Sequence, residues 1–176
     1  MLLKHSRLLG PDFIFRPDFK LHPPVNRLDP TTGEYRYGRQ TVVQGEDFEY
    51  AGKFNKGEPW TPNVAFIRDE LEKQYKVKVN CVLIGLYENG EKGITYHKDV
   101  MGDDGLIFNV SFGAPRLFRF RYDDQSKGVE HIILQNGEYA VFDAEMNAIG
   151  EHDVPPVSQV TPQERWSLTF RTTTHK

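Results

Sequence analysis

The sequence predicts a mainly β fold, a sandwich or barrel of short strands with one helix packed against it. Three observations support this class. Short apolar or alternating segments follow one another after residue 78, as in all-β domains. One amphipathic segment of helical period precedes them. The first 34 residues contain five prolines, which favours irregular chain wrapped on the body. With 176 residues, the chain is expected to form one domain.

The helix is predicted at about residues 61–75. Thr61 is a suitable N-cap, and Pro62 can take the first helical position because its missing N–H is not needed there. Apolar residues then recur at steps of three and four, at Val64, Ile67, Leu71 and Tyr75. This spacing indicates a helix with one face packed on a sheet.

The strands of the predicted barrel lie within residues 79–173. The candidate segments are 79–87, 106–112, 118–122, 129–134, 138–143 and 165–173. Asn136-Gly137 separates two of them, which favours a β-hairpin at that point.

Composition excludes several classes of protein. Lys and Arg number 22 against 25 Asp and Glu, so the chain is not a polycation. The single Cys81 excludes an intrachain disulfide framework and a multi-thiolate zinc site. No apolar run approaches the ~20 residues of a membrane helix, and no signal-peptide core follows the first Met. We therefore expect a soluble intracellular monomer, in cytoplasm or nucleus, with no membrane partner.

Tyr96-His97-Lys98-Asp99 is the first candidate for chemistry. In extended chain, residues two apart point to the same side, so His97 and Asp99 would project together. An imidazole and a carboxylate side by side supply two ligands of a 2-His-1-carboxylate triad, which suits non-haem Fe(II). A second histidine must complete the set.

His152 is the preferred second histidine. It lies between Gly150 and Pro155, which we expect to hold it in a fixed loop. His131 sits inside an alternating segment and is more simply interpreted as a half-exposed strand residue.

The last predicted strand has one polar and one apolar face. Its polar face carries Arg165, Ser167, Thr169 and Arg171, and its apolar face carries Trp166, Leu168 and Phe170. The two arginines are six residues apart, roughly 20 Å by strand rise. They could grip both ends of a small dicarboxylate inside a closed barrel, or face solvent on an edge strand.

The sequence resembles the AlkB family of Fe(II)/2-oxoglutarate dioxygenases, and most closely its DNA- and RNA-repair members. Three features together carry this resemblance: H-x-D at 97–99, His152, and R-x5-R at 165–171. Supporting likeness lies at residues 59–62, 82–87 and 109–121, and the resemblance covers about residues 35–173. It implies a double-stranded β-helix (jelly-roll) core at 79–173. It also implies a buttressing helix at 61–75 and an N-terminal nucleotide-recognition lid at about 35–58, after an irregular extension at 1–34.

The resemblance further implies the roles of the site residues. His97, Asp99 and His152 would bind Fe(II). Tyr87 and Arg165 would hold the distal carboxylate of the cosubstrate 2-oxoglutarate, and Arg171 would lie near the carboxylate that chelates iron. The same pocket would include Ser167 and Thr169. Two departures from the family are Gly85 and Ser167, where Asn is common.

The activity implied is oxidative demethylation of N-alkylated bases in DNA or RNA, of the 1-methyladenine or 3-methylcytosine type. It consumes O2 and releases formaldehyde, succinate and CO2. The base would be flipped out and sandwiched between Tyr50 and His97, with Phe48 as the second candidate. Arg39 is one of several candidate phosphate contacts. Met101 stands where repair members often carry an acidic residue. Either Asp103 and Asp104 substitute for it, or the substrate is not a cationic methylated base.

Three alternatives remain open. One is a 2-oxoglutarate oxygenase that hydroxylates a protein, a small molecule or an unusual base. Another is a non-enzymatic nucleic-acid-binding β-barrel that uses a basic face at Arg119 and Arg121. The last is a cupin-like barrel with another divalent metal. The pair Arg165 and Arg171 argues against the last two, since neither needs a dicarboxylate clamp.

Overall fold

The computed structural model describes residues 3–23, 27–28, 35–36, 39–50, 53–99, 105–157 and 163–172. Its strands are β1 (Lys4–Arg7), β2 (Arg27–Leu28), β3 (Tyr35–Arg36), β4 (Gln40–Gly45), β5 (Phe48–Tyr50), β6 (Lys53–Asn55), β7 (Cys81–Tyr87), β8 (Ile94–His97), β9 (Leu106–Gly113), β10 (Arg116–Tyr122), β11 (Val129–Leu134), β12 (Glu138–Asp143), β13 (Gly150–Val154) and β14 (Arg165–Arg171). Its α-helices are α1 (Pro62–Tyr75) and α2 (Ala144–Ile149).

Two antiparallel sheets form the body of the fold. The larger sheet has the order β1-β12-β9-β14-β7-β4, and the smaller has the order β11-β10-β13-β8. Apolar side chains from both sheets meet in one buried cluster, which includes Tyr87, Ile107, Phe118, Phe120, Leu134, Phe142 and Val154. The predicted mainly β, jelly-roll class is confirmed by these two packed sheets.

The region predicted as a lid contributes to more than one part of the fold. Strand β4 pairs with β7 and forms an edge of the larger sheet. Among the described strands, β5 and β6 pair only with each other.

Helix α1 buttresses the larger sheet. Val64, Ile67 and Leu71 are fully buried and belong to a core cluster that also contains Val82 and Phe170 of the sheet. The helix has the bounds that the periodicity predicts. Thr61 is its N-cap residue but makes no side-chain capping hydrogen bond.

The backbone before α1 is fixed by a buried glutamine instead. The Thr61 N–H donates to Gln44 Oε1 at 3.0 Å, and Gln44 is fully buried on β4. The helix start is therefore tied directly to the edge strand of the larger sheet.

Strand β14 lies inside the larger sheet, between β9 and β7. Its apolar row packs toward α1 with Trp166, Leu168 and Phe170 in the same cluster as the helix. Its polar row is buried as well, and both Arg165 and Arg171 are only 1% exposed. The alternative of a solvent-facing edge strand is therefore excluded.

The predicted hairpin at Asn136-Gly137 is wrong, although the turn itself is present. Strand β11 pairs with β10 in the smaller sheet, whereas β12 pairs with β9 and β1 in the larger one. Gly137 has the positive φ of 83° that such a turn needs. Asn136 Oδ1 accepts a hydrogen bond from the Gly113 N–H of β9 at 3.0 Å. The turn thus connects β11 of the smaller sheet to β12 of the larger sheet.

Three segments expected to be irregular are strands: β1 and β2 in the N-terminal extension, and β13 around His152. Residues 4–7 are expected to be irregular, but they pair with β12, and the Arg7 side chain also donates to Glu138 Oε1 of β12 at 3.1 Å. All four residues are exposed, so they leave no apolar pattern in the sequence. His152 was expected in a loop, but it lies in β13 between β10 and β8. The sequence of β13 lacks the apolar alternation of a typical strand, because Glu151 and Asp153 form cross-strand ion pairs with Arg121 and Arg119.

Neither described helix has the length and apolar character that crossing a membrane would require.

Replacement of Ile67 by Ala should lower the free energy of unfolding by ~2–5 kcal/mol, because it leaves a cavity between α1 and the larger sheet. Lys73→Ala, on the exposed face of the same helix, should change it by less than ~0.5 kcal/mol. Urea unfolding of both variants checks this, and equal midpoints would contradict the assigned packing of α1.

Candidate metal centre

The three predicted ligands meet between β8 and β13. His97, the last residue of β8, is the direct cross-strand partner of His152 on β13. Asp99 follows two residues later along the chain. One ligand atom from each of the three side chains lies within 4.8 Å of the other two. The prediction that separate stretches converge here is confirmed by this geometry.

The His97 ring is oriented by its own backbone. Its Nδ1 lies 2.7 Å from the Thr95 carbonyl oxygen, to which it can donate, so that Nε2 is left to face the cluster. Nε2 lies 3.9 Å from Asp99 Oδ1. Burial lowers the pKa of His97 to about 4, and the neighbouring His152 adds to this effect. The ring is therefore neutral at pH 7, which is the state that binds metals.

His152 is held by aromatic packing. It is 3% exposed and stacks on Phe118, with ring centroids 5.3 Å apart, while Phe142 lies 5.0 Å away on a tilted plane. Its Nε2 points toward Asp99 and lies 3.2 Å from Oδ2. A rigid apolar cage thus presents one ring nitrogen to the cluster.

Asp99 is a buried anion. Burial alone would raise its pKa, but the Arg171 guanidinium, 2.7 Å from Oδ1, and the two imidazoles lower it below the ordinary value. Its second oxygen, Oδ2, is buried and has no well-oriented hydrogen-bond donor in the described part of the chain. Two imidazoles and one carboxylate form a donor set that fits a divalent cation of the Fe(II) type.

Asn147 of α2 fixes the backbone of Asp99, and sequence reasoning missed it. Its side-chain Oδ1 accepts from the Asp99 N–H at 3.0 Å, and its Nδ2 donates to the Asp99 carbonyl at 2.8 Å. The side-chain amide of Asn147 thereby makes the two hydrogen bonds to the Asp99 backbone that a neighbouring β-strand would make. The sequence offers no signal for this contact, because α2 has only six residues and Asn147 is 48 positions away.

Three residues of the polar row of β14 line a pocket beside this cluster. The pocket wall contains His97, Asp99, His152, Ser167, Thr169 and Arg171, together with Tyr87 and Asn109. The predicted ligand cavity is therefore present where the barrel closes over the polar face of β14.

Arg165 lies against Tyr87, at the far end of the polar row from Arg171. Its Nε donates to Ser111 Oγ at 2.8 Å, and its Cζ lies 4.9 Å from the centre of the Tyr87 ring. Burial lowers the pKa of Arg165 to about 10. Its Nη1 is buried with no hydrogen-bond partner among the described residues, so it can donate to an anion.

Two polar residues of β9 support the row and were not singled out as site residues. Asn109 donates to Thr169 Oγ1 at 3.2 Å, and its Oδ1 accepts from Ser167 Oγ at 3.3 Å. Ser111 is the partner of Arg165 described above. Their place opposite β14 follows from strand register, which the sequence alone does not give.

The expected substrate residues are only partly described. Tyr50 and Phe48 lie in β5, but the orientation of their side chains is not part of the described structure. Met101 and Asp103 lie outside the described residues. Arg39 is described, and its guanidinium lies at the pocket, 4.7 Å from the centre of the Tyr87 ring.

The basic face expected at Arg119 and Arg121 is neutralised. The Nε of Arg119 donates to Asp153 at 2.9 Å, and Arg121 donates to Glu151 at 2.7 Å. Both guanidiniums also lie over the Tyr96 ring. Each positive charge on this face of the smaller sheet therefore has an acidic neighbour.

Comparison with known proteins agrees with this site. A family model described as "2OG-Fe(II) oxygenase superfamily" matches residues 11–171. A Bos taurus protein named "DNA oxidative demethylase ALKBH2" is 31% identical over 137 residues, which are 72% of this chain and 49% of that protein. "Uncharacterized protein R406" of Acanthamoeba polyphaga mimivirus is 28% identical over 138 residues, 76% of this chain and 72% of that protein. The match thus spans about half the length of the bovine relative. The resemblance inferred from the motifs is confirmed.

Asn147→Ala should weaken Co(II) binding about tenfold, since loss of an outer-shell partner typically has an effect of that order. The reason is that Asp99 then loses both contacts that fix its backbone. Titration of the Co(II) absorption bands measures affinity and coordination together, and urea unfolding reports any change in global stability separately.

Glu145→Ala, exposed on the same helix, is the matched control and should bind Co(II) as the natural sequence does. An Asn147→Ala protein with unchanged Co(II) affinity and spectrum would show that this amide does not position Asp99.

Proposed function

The chain belongs to the 2OG-Fe(II) oxygenase superfamily as an AlkB-like member, and from this premise we propose that it oxidatively demethylates N-alkylated nucleobases in DNA or RNA. Members of the superfamily use Fe(II), 2-oxoglutarate and O2. The observation that carries the proposal is the cluster of His97, Asp99 and His152 at a pocket that the buried Arg171 also lines, with the buried Arg165 against the Tyr87 ring of its wall. An intracellular location, in cytoplasm or nucleus, belongs to the same proposal.

In this proposal His97, Asp99 and His152 bind Fe(II). The buried carboxylate of Asp99 and the neutral His97 ring support the assignment. When bound, Fe(II) with 2-oxoglutarate and O2 supplies the oxidation of an N-methyl group, which is then lost as formaldehyde while 2-oxoglutarate becomes succinate and CO2. The chain itself holds the ligands and buries them away from water.

The polar row of β14 binds 2-oxoglutarate in this proposal. Arg165 and Tyr87 hold its distal carboxylate, for which the free Nη1 of Arg165 is available. Arg171 lies at the metal end, where its ion pair with Asp99 also restrains that ligand. Ser167 and Thr169 line the path between the two ends.

A flipped base is the proposed substrate, since the target atom of a stacked base cannot reach a buried metal. The similarity to a bovine protein named as a DNA oxidative demethylase supports this class of substrate. Tyr50 is the proposed stacking partner opposite His97, with Phe48 as the second candidate. Met101 and Asp103 are proposed to face the base from the segment after Asp99.

The enzymatic alternative keeps the metal and cosubstrate site but changes the target to a protein, a small molecule or an unusual base. Nothing specific in the site favours such a target over a nucleobase. The non-enzymatic alternative is weakened, because Arg119 and Arg121 are paired with Asp153 and Glu151. A surface of compensated charge attracts phosphates poorly.

The purified protein, supplied with Fe(II), 2-oxoglutarate and ascorbate, should release formaldehyde from an oligonucleotide containing 1-methyladenine or 3-methylcytosine. Mass spectrometry of the oligonucleotide should show loss of the methyl group, with one succinate formed per base restored. His97→Ala and Asp99→Ala should each reduce turnover below ~1%, because a metal ligand is lost.

His131→Ala is the matched control for loss of a histidine, since His131 is exposed on β11. It should retain full turnover. Succinate formation that never restores a base, across methylated single- and double-stranded DNA and RNA, would favour the enzymatic alternative. Full turnover by His97→Ala would refute the ligand assignment.

A further inference from the structure

The wall of the pocket has a gap at Gly85. Gly85 on β7 is in register with Ser167 on β14, so two small residues stand side by side in the polar face of the sheet. A Cβ built on Gly85 would lie 2.6 Å from Nη1 of Arg39 and 3.3 Å from its Cζ. The guanidinium of Arg39 therefore occupies the space that a side chain at position 85 would fill.

Three guanidinium groups lie around the Tyr87 ring, but they differ in their hydrogen-bond partners. The Cζ atoms of Arg39, Arg165 and Arg116 lie 4.7, 4.9 and 5.3 Å from the ring centre. Arg116 is occupied by backbone, because it donates to the carbonyls of Lys92 at 2.7 Å and Pro155 at 2.8 Å.

Arg39 and Arg165 have no carboxylate partner in the described ranges. They lie on the same ring: burial lowers the pKa of Arg165, and the charges of Arg116 and Arg39 add to this effect. Arg39 lines the pocket, and Arg165 lies against Tyr87, which lines it too. Two cations on this one ring create a site for an anion that both can contact.

We propose that Arg39 is a second guanidinium for the distal carboxylate of 2-oxoglutarate, reaching it across Gly85 while Arg165 approaches from β14. The inference rests on the proposed function, since it assumes 2-oxoglutarate as the ligand. It changes the expected role of Arg39, because this guanidinium is turned into the pocket rather than toward a substrate phosphate.

Calorimetric titration of the Mn(II)-loaded protein with 2-oxoglutarate tests the inference without turnover. Arg39→Ala should weaken binding by about 10- to 100-fold, the range expected for loss of a charge-assisted hydrogen bond. Arg39→Lys should recover part of the affinity, because the charge returns without the planar fork. Arg16→Ala removes one exposed positive charge elsewhere and should bind as the natural sequence does.

Gly85→Ala gives an independent test that leaves Arg39 in the chain. The added methyl group should push the guanidinium out of the gap and weaken 2-oxoglutarate binding to a similar degree. The ligand 2-oxopentanoate has the keto acid end but no distal carboxylate. Its affinity should differ by less than about threefold between the natural sequence and Arg39→Ala, since the lost donor has no partner.

Equal affinity for 2-oxoglutarate in Arg39→Ala and the natural sequence would overturn the inference while the proposed function stood. Unchanged 2-oxoglutarate binding with weaker oligonucleotide binding would overturn it in favour of a substrate contact. An equal loss for both keto acids would also overturn it, because the effect would not depend on the distal carboxylate. Failure of the natural protein to bind 2-oxoglutarate at all would overturn the proposed function as well.

Discussion

The burial of two guanidinium groups on one strand constrains the rest of the structure. Arg165 and Arg171 are each 1% exposed, and taking such a cation out of water costs several kcal/mol unless other groups compensate. Arg171 is compensated by Asp99, whereas Arg165 has Ser111 and the face of Tyr87. The neighbouring strands β9 and β7 supply Ser111 and Tyr87, and the segment after β8 of the facing sheet supplies Asp99, so the position of β14 between β9 and β7 satisfies both cations.

The ion pair between Asp99 and Arg171 also joins the two sheets. Asp99 follows β8 of the smaller sheet, and Arg171 ends β14 of the larger one. The carboxylate remains charged because the guanidinium and imidazoles outweigh its burial. A single buried anion thus fixes the spacing of the sheets and supplies a ligand to the metal centre, while Asn147 holds its backbone in place.

The sequence predicts what depends on local periodicity or on a motif. The spacing of apolar residues alone predicts helix α1 and the two faces of β14. The shared orientation of His97 and Asp99 is predicted because side chains two residues apart in extended backbone point to the same side. Strand pairing does not follow, because the turn at Asn136-Gly137 has the same local chemistry whether its flanking strands pair with each other or separate into two sheets. Contacts such as that of Asn147 depend on register between distant segments and leave no pattern in the chain.

The pocket is positive because the cations around it lack acidic partners, and not because the chain as a whole is basic. The chain has a formal charge of −3, and its outer arginines are paired, as Arg119 is with Asp153 and Arg121 with Glu151. Around Tyr87, by contrast, no carboxylate of the described residues accompanies Arg39 or Arg165. Because paired charges cancel at short range and buried ones are poorly screened, a mildly acidic protein can present a strongly cationic pocket to a dicarboxylate.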